Sequence, residues 1–332
     1  MEKYILLDKL KETSHSTIHK GINKEDNKIY ALKVIHLIKL SVIEKEQLFQ
    51  SINLLSTIKH EYIISFKEIF YYNDQNIVLV MEFADKGDLL QIINKYKNSK
   101  NRKNYFKESK IRIILIQIVK GLKYLHKNNI IHCNLTSSNI LLFKDGKAKI
   151  GNLNMAIKSE NQPEFNYFFS PWSYKYESPE KQKKQGISIK TDIWSLGCIL
   201  YEMTTLNLPF KDRNLTDISV QIMNYRMNKS YQYSDNLYNL ISSLIQIAPY
   251  KRPTCEKILS HPFIKTINNI QLVRIEKKVD NFIQEEELKQ NENSYLEMNM
   301  ATISTGKEYF VLENLKGTKR LMAIVEIMKV SI

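Results

Sequence analysis

The sequence predicts an α+β protein with a small β-rich lobe followed by a larger helical lobe. Three observations predict this division. Up to about residue 84 the apolar residues alternate with polar ones or form short runs, which is typical of strands. From about residue 87 they recur at helical spacing, and the segment Thr191–Met203 is apolar almost all round, as in a buried central helix.

The first lobe is predicted to be a small sheet with one helix. Lys28–Ile35 is a strand that leads into a polar turn, and Ile77–Met81 is a buried strand at the end of an alternating segment. Residues 40–58 are predicted to be the helix, because their apolar positions follow helical spacing: Val42, Ile43, Leu48, Ile52, Leu55 and Ile58.

The second lobe begins with a long predicted helix, whose apolar stripe comprises Ile111, Ile114, Leu115, Ile118, Leu122 and Leu125. A region of loops and strands follows over residues 130–155. Two shorter helices, over residues 236–247 and 255–259, are separated by the helix breaker Pro253. Residues 266–332 form a C-terminal extension of unknown role, for which both a helix and a hairpin remain open.

Composition excludes several classes of protein. Of the 332 residues, 43% are hydrophobic and 25% are charged, so a packed core is expected and disorder is excluded as the dominant state. The net charge is +14, but the clusters Lys97–Lys110 and Lys181–Lys184 are local and lie in polar, loop-like sequence, and no aromatic residues interleave with a basic stripe. We therefore expect a basic solvated surface and no nucleic-acid partner. A basic binder of nucleic acid or of a membrane surface remains the third function considered.

The cysteines and the apolar runs indicate a cytoplasmic location. Cys133, Cys198 and Cys255 occur without a Cys-x-x-Cys pair, which excludes a disulfide scaffold and a cysteine-rich zinc module and fits a reducing compartment. The segment Met1–Asp8 is too short and too charged for a signal peptide. No apolar run approaches the roughly 18 residues of a membrane helix, so no membrane span is expected.

Five motifs occur in order along the chain. They are Ala31-Leu32-Lys33, the run from His132 to Asn139, Ser178-Pro179-Glu180, the run from Asp192 to Gly197, and Lys251-Arg252-Pro253. With them the sequence resembles the eukaryotic protein kinase domain over residues 1–265, with an N-lobe of about residues 1–84 and a C-lobe of about residues 85–265. Residues 191–210 and 237–264 look most like NIMA-related Ser/Thr kinases.

The resemblance implies roles for several residues that hold the fold. Asp192 is expected to hydrogen-bond the backbone of the catalytic loop. Glu180 and Arg252 are expected to form a buried ion pair that ties the activation segment to the C-lobe. A stacked column of side chains between the lobes would include His132, Leu153 and Leu55.

The catalytic positions depart from the family. Asn134 stands where kinases have the Asp that accepts the proton of the substrate hydroxyl, and an amide is not a usable base near neutral pH. Cys133 replaces the preceding Arg, and Thr136 replaces the Lys that steadies the transferring phosphoryl group. We therefore expect no catalytic residue to be intact.

The positions that hold metal and phosphate depart as well. Asn152 replaces the Asp that is the main Mg²⁺ ligand, and Asn139, which matches the second ligand, offers only a neutral oxygen. The loop Lys11–Ser16 has none of the three glycines that let backbone amides approach a phosphate. Lys33 matches the lysine that contacts the phosphates, but Ser51 stands where its Glu partner is expected. The sequence therefore predicts no metal site.

Apolar residues remain where the family would enclose an adenine ring. These positions and the hinge that follows them are Ile18, Ala31, Met81, Glu82, Phe83, Ala84 and Leu141. Two states remain open, a slot that admits adenine without metal and a slot closed by its own side chains. No cofactor is expected, although ATP without normal Mg²⁺ coordination remains a candidate ligand.

The first hypothesis for function is a pseudokinase, which uses the kinase fold as a binding or allosteric scaffold. Its partner would be another kinase, a substrate or a cytoskeletal protein. The alternative is a weakly active or unconventional ATP-dependent Ser/Thr kinase, which is supported by Lys33, Asn139 and the segment around Glu180.

Overall fold

The first lobe is a five-stranded antiparallel sheet with one helix. The computed structural model describes residues 3–73, 75–99, 105–159, 174–210 and 232–265. The elements are β1 (Tyr4–Glu12), β2 (Ser16–Asn23), β3 (Ile29–His36), α1 (Val42–Thr57), β4 (Phe66–Asn73) and β5 (Asn76–Glu82). The strand order in the sheet is β1-β2-β3-β5-β4. The predicted strands over Lys28–Ile35 and Ile77–Met81 and the predicted helix over residues 40–58 are confirmed to within two residues.

Helix α1 begins where a local capping motif fixes it. The Ser41 hydroxyl accepts a hydrogen bond from the Glu44 amide, and the Glu44 carboxylate accepts one from the Ser41 amide at 2.8 Å. This capping box satisfies two amides that the first turn leaves without helical partners. It also keeps the Glu44 carboxylate at the start of the helix.

The second lobe is helical with short strand pairs. Its helices are α2 (Leu89–Lys97), α3 (Glu108–Lys127), α4 (Pro179–Gln182), α5 (Ile189–Thr205), α6 (Asp235–Leu244), α7 (Cys255–Leu259) and α8 (Pro262–Lys265). Its strands are β6 (Ile130–Ile131) paired with β9 (Ile157–Lys158), and β7 (Ile140–Leu142) paired with β8 (Ala148–Ile150). The predicted division into a β-rich lobe and a helical lobe is therefore confirmed. Among the helices of the described ranges, none is long and apolar enough to cross a bilayer.

The core of the second lobe forms around α3 and α5. Trp194, Leu196 and Ile199 of α5 are fully buried, as expected for a helix that is apolar all round. Leu55 at the end of α1 belongs to the same apolar cluster, together with Leu153. This cluster joins the end of α1 to the segment that carries Asn152 and Asn154.

Two predictions for the lysine-rich segments were wrong. Helix α2 was not predicted, and Lys97 ends this helix instead of starting a loop. Lys181 is 3% exposed although its cluster was expected to be solvated. Its ammonium group is held by an ion pair inside the protein, which the charge pattern alone did not reveal. Residues 266–332, for which a helix and a hairpin remained open, lie outside the described residues.

Candidate functional site

The catalytic-loop backbone is held by one buried carboxylate. Asp192, near the start of α5, accepts hydrogen bonds from the backbone amides of His132 and Cys133, each at 3.0 Å, and contacts the His126 ring at 2.9 Å. Burial alone would raise the pKa of Asp192, but these hydrogen bonds and the nearby imidazoles hold it below its usual value. Cys133 has a φ of 62°, so the carboxylate stabilises a left-handed backbone that a non-glycine residue rarely adopts.

The loop presents amides and hydroxyls at its polar positions. The backbone carbonyl of Asn134 accepts a hydrogen bond from the Asn139 side chain at 2.8 Å. The Asn134 side-chain oxygen is buried and has no hydrogen-bond partner among the described residues. Thr136 is 5% exposed, and its hydroxyl contacts that of Ser138 at 3.0 Å. Because an amide oxygen accepts a hydrogen bond but takes up no proton near neutral pH, Asn134 supplies no general base.

Lys33 of β3 reaches across to two asparagine side chains. Its ammonium group donates to Oδ1 of Asn152 at 2.9 Å and to Oδ1 of Asn154 at 3.2 Å. Burial of the ammonium group and the nearby charge of Lys11 lower the pKa of Lys33 to about 8. These amide oxygens are neutral, so they stabilise the ammonium group less than a carboxylate would.

No carboxylate of the described residues forms an ion pair with Lys33. Ser51 of α1 is buried, and its hydroxyl donates to the carbonyl of Leu48 in its own helix at 2.8 Å. Glu44 is held in the capping box of the same helix. The side chains of Ser51 and Glu44 are therefore used within the helix itself.

In the turn between β1 and β2, two backbone amides form hydrogen bonds within the turn itself. The Thr13 amide donates to the Ser16 carbonyl at 2.8 Å, and the Ser16 amide donates to the Thr13 hydroxyl at 3.0 Å. A glycine-rich loop would direct amides of this kind at a phosphate. Here the Thr13 and Ser16 amides are used inside the turn, a local network that the glycine count did not reveal.

The apolar slot is lined by side chains that remain partly accessible to solvent. Ile18 lies opposite Lys33 in the pairing of β2 with β3, and Ala31 lies opposite Met81 in the pairing of β3 with β5. These three apolar residues and Leu141 are half-buried. Their neighbours in the protein do not cover them fully.

The hinge is fixed on its other side by a charged contact. The Glu82 carboxylate pairs with Lys149 of β8 at 2.6 Å and accepts the Ser65 amide at 2.6 Å. Ala84 follows in the hinge, and its carbonyl accepts the Gly87 amide at 3.3 Å. The Glu82 carboxylate is therefore already partnered within the protein.

Glu180 and Arg252 form a buried bidentate ion pair. Their atoms meet at 2.6 and 2.8 Å, and Arg252 is 1% exposed. Burial would raise the pKa of Glu180, but the guanidinium group holds it below its usual value. Arg252 also stacks on the Trp194 ring at 5.0 Å, so the pair connects α4 to α5 and to the segment before α7.

A second buried ion pair was missed by the sequence reasoning. Lys181 pairs with Glu177 at 2.9 Å and donates to the carbonyl of Cys133 at 3.0 Å, and both partners are almost fully buried. Glu177 and Lys181 are four residues apart, a spacing that places opposite charges side by side on one helical turn. That spacing was the one feature of the sequence that could have indicated this ion pair. The pair anchors this segment beneath the catalytic loop.

Comparison with known proteins identifies the family. A model of the protein kinase domain matches residues 4–264. This chain belongs to the protein kinase family. It is 34% identical to the human serine/threonine-protein kinase Nek5 over 269 residues, which are 80% of this chain and 37% of Nek5. It is 31% identical to the mouse serine/threonine-protein kinase Nek2 over 271 residues, which are 80% of this chain and 60% of Nek2. The chain therefore covers less than two thirds of either relative, and both relatives support the resemblance to NIMA-related Ser/Thr kinases.

The residues at the kinase metal positions do not fit a normal Mg²⁺ site. Mg²⁺ prefers anionic oxygen ligands. Here the Asn152 oxygen accepts a hydrogen bond from the Lys33 ammonium group, and the Asn139 amide nitrogen donates to the Asn134 carbonyl, so Asn139 offers a metal only its neutral oxygen. Over the described ranges, no group of three His, Cys, Asp or Glu side chains is arranged to hold a metal. This donor set supplies neutral oxygens next to a positive charge, which disfavours a divalent cation.

Proposed function

We propose that this member of the protein kinase family is a pseudokinase, which acts as a binding or allosteric scaffold and transfers phosphoryl groups very slowly or not at all. One observation carries the proposal. The Lys33 ammonium group contacts two neutral amide oxygens, at 2.9 and 3.2 Å, and the nearer one belongs to Asn152, which stands where a kinase places the metal-binding carboxylate.

The chemistry of transfer supports the same conclusion. A positioned general base raises the rate by a factor of about 10²–10⁴, and Asn134 does not act as a base. The charge that develops on the transferring phosphoryl group is normally neutralised by metal ions and a lysine, and here these positions carry Asn152, Asn139 and Thr136. Losses within one catalytic unit are not additive, but all of these replacements lower the rate of transfer.

The contacts that hold the fold support a scaffold. Asp192 holds the loop backbone, and Glu180 pairs with Arg252, although the catalytic residues are replaced. A fold kept in this way suits a protein partner, which would be another kinase, a substrate or a cytoskeletal protein.

A weakly active Ser/Thr kinase is the second candidate. Lys33 still lies 2.9 Å from the side chain at the metal-ligand position, and Asn139 keeps its place in the loop. The relatives named above are serine/threonine-protein kinases. This candidate requires turnover that depends on Lys33.

Phosphoryl transfer by the purified full chain distinguishes the two candidates. The assay measures autophosphorylation and transfer to generic protein substrates from labelled ATP with Mg²⁺ or Mn²⁺. We expect the wild type and Lys33→Met to give the same background, far below the roughly 1–100 s⁻¹ of kinases. Turnover within about tenfold of that range, lost in Lys33→Met, would overturn the pseudokinase proposal. The double variant Asn134→Asp with Asn152→Asp is the matched control, because it restores both carboxylates without changing the size of either side chain.

A further inference from the structure

Two buried contacts join the catalytic loop to the segment 174–185. At one end of the loop, the Lys181 ammonium group donates to the backbone carbonyl of Cys133 at 3.0 Å. At the other end, the hydroxyl groups of Ser137 and Tyr176 lie 2.8 Å apart. Lys181, Ser137 and Tyr176 are all buried, so water does not compete for these contacts. The two contacts, Lys181 with Cys133 and Ser137 with Tyr176, are called the clasp below.

The direction of the second contact follows from the Tyr176 phenol. Its single O–H proton is donated to the buried carboxylate of Glu202 at 2.6 Å. The Ser137 hydroxyl is therefore the donor to the Tyr176 oxygen. Glu202 belongs to α5, and the Ser195 hydroxyl of the same helix donates to the Tyr176 carbonyl at 2.8 Å. Helix α5 thus holds Tyr176 in the position in which the loop contacts it.

The first contact holds the backbone of Cys133 and not its side chain. The Cys133 amide donates to Asp192 at 3.0 Å, and the Cys133 carbonyl accepts from Lys181 at 3.0 Å. Kinases order the activation segment by pairing a phosphate on it with an Arg side chain. Position 133 carries Cys in place of the Arg of the family. A contact to the backbone does not depend on the side chain, so the replacement of that Arg leaves the clasp intact.

The buried cationic side chains at this contact already have carboxylate partners. Lys181 pairs with Glu177 at 2.9 Å, and Arg252 pairs with Glu180 at 2.6 Å. A phosphate that approached either cation would have to displace a buried carboxylate and leave it without its partner, which is costly. Lys181 and Arg252 therefore hold the segment through carboxylates of the segment itself, without a phosphate.

From these contacts we propose that the clasp holds the segment 174–185 against the catalytic loop whether or not the chain is phosphorylated. This face of the second lobe then has one permanent conformation, unlike the face of a kinase that phosphorylation orders. The proposal deepens the proposed function and rests on it, because a permanent face suits a scaffold that binds a partner without a preceding switch.

Hydrogen–deuterium exchange of the full chain, read by mass spectrometry, tests the proposal. The chain is first treated with a phosphatase, and its intact mass confirms that no phosphate remains. We expect residues 174–185 to exchange about 100-fold or more slowly than an unstructured peptide of the same sequence. The amides of Gln182 and Lys183, which form hydrogen bonds within the segment at 3.0 Å, contribute to this protection. Exchange at the rate of the unstructured peptide, or slow exchange only before the phosphatase treatment, would overturn the proposal.

Two variants break the clasp from opposite sides. Ser137→Ala changes the loop, keeps the hydrogen bond between Tyr176 and Glu202, and should make residues 174–185 exchange about fivefold faster. Lys181→Met changes the segment and should make residues 132–139 exchange about tenfold faster or more, because it removes a charge-assisted hydrogen bond. Ser137→Ala leaves no buried charge unpaired, so it tests the clasp by itself if Lys181→Met does not fold.

The controls separate the clasp from a general loss of stability. Lys183→Met removes an exposed lysine of the same segment and should change neither rate. The strands β4 and β5 of the first lobe serve as the reference, and their exchange should stay unchanged in every variant. Equally faster exchange in β4 and β5, or unchanged exchange in the loop and the segment, would refute the clasp.

The clasp and the proposed function fail separately, because the exchange measurements contain no ATP. Turnover in the labelled-ATP assay would overturn the proposed function whatever the exchange rates are. Fast exchange of residues 174–185 in the phosphatase-treated chain would overturn the clasp, while Asn134 and Asn152 would still stand where kinases have carboxylates.

Discussion

Replacing Lys33 by methionine is expected to stabilise the fold at neutral pH. Lys33 is half-buried, and its ammonium group contacts two amide oxygens instead of a carboxylate. Methionine has a similar length and no charge, so Lys33→Met removes the penalty for burying that charge. In a kinase with an intact ion pair the same substitution would leave a carboxylate without its partner.

The size of the effect follows from the pKa of Lys33. Its fall from 10.5 to about 8 corresponds to about 3 kcal/mol, at about 1.4 kcal/mol per pKa unit. Solvent screens part of this penalty at a half-buried group. The substitution also removes a hydrogen-bond donor from two amides, which offsets about 1 kcal/mol. We therefore expect Lys33→Met to raise the free energy of unfolding by about 1–2 kcal/mol at pH 7.

The pH dependence separates this effect from ordinary repacking. Below pH 8 Lys33 is protonated in both the folded and the unfolded state, so the full penalty applies to the wild type. Between the folded pKa of about 8 and the unfolded pKa of 10.5, the folded state loses the proton first. The unfolded state then binds more protons, and the stability of the wild type rises relative to the variant by at most about 1.4 kcal/mol per pH unit.

Urea denaturation at pH 7, 8 and 9 measures the difference. The gap between Lys33→Met and the wild type should be largest at pH 7 and should narrow above pH 8. Lys28→Met serves as the control, because it removes one exposed positive charge without changing the cleft. A destabilised Lys33→Met at pH 7, or a gap that does not change with pH, would refute the reasoning.

Three further predictions concern side chains of the second lobe. Arg252→Met leaves Glu180 without its partner and should lower the free energy of unfolding by about 3–5 kcal/mol, which urea denaturation measures. A decrease of less than about 0.5 kcal/mol would show that the pair is dispensable. Lys181→Met should lower the free energy of unfolding by a similar amount. The double variant Lys181→Met with Glu177→Leu should recover most of this stability, because replacing a buried ion pair as a whole is often neutral. A double variant as unstable as Lys181→Met would contradict this prediction. Burial raises the pKa of the Cys133 thiol, so Cys133 should resist iodoacetamide at pH 8 in the native protein and react in urea-unfolded protein. Mass spectrometry measures the labelling. Rapid labelling of Cys133 in the native state would contradict this prediction.

The sequence predicted the fold well where one periodicity dominates. The stripe from Ile111 to Leu125 lies within α3, and Thr191–Met203 lies within α5. Helix α2 was missed because it is only nine residues long and its buried side chains, Leu89 and Ile93, are too few to establish a period.

The candidate site was predictable in composition but not in its contacts. The motif order indicated that Asn134 and Asn152 replace carboxylates. The contact between Lys33 and Asn152 joins residues 119 positions apart, and no local pattern encodes such a distance. The burial of Lys181 was only partly indicated, because Glu177 lies four residues before it whereas Cys133 lies 48 positions earlier in the chain.

The fold and the chemistry of this protein are separable for a physical reason. Asp192 and Arg252 have partners inside the protein, so losing either would leave a buried polar group unsatisfied and destabilise the fold. The carboxylates that a kinase uses for catalysis have their partners in the metal and the substrate, so an amide at such a position, as at Asn152, breaks no contact within the fold. Lys33 fits neither group, because its buried charge disfavours folding and it has no carboxylate among the described residues.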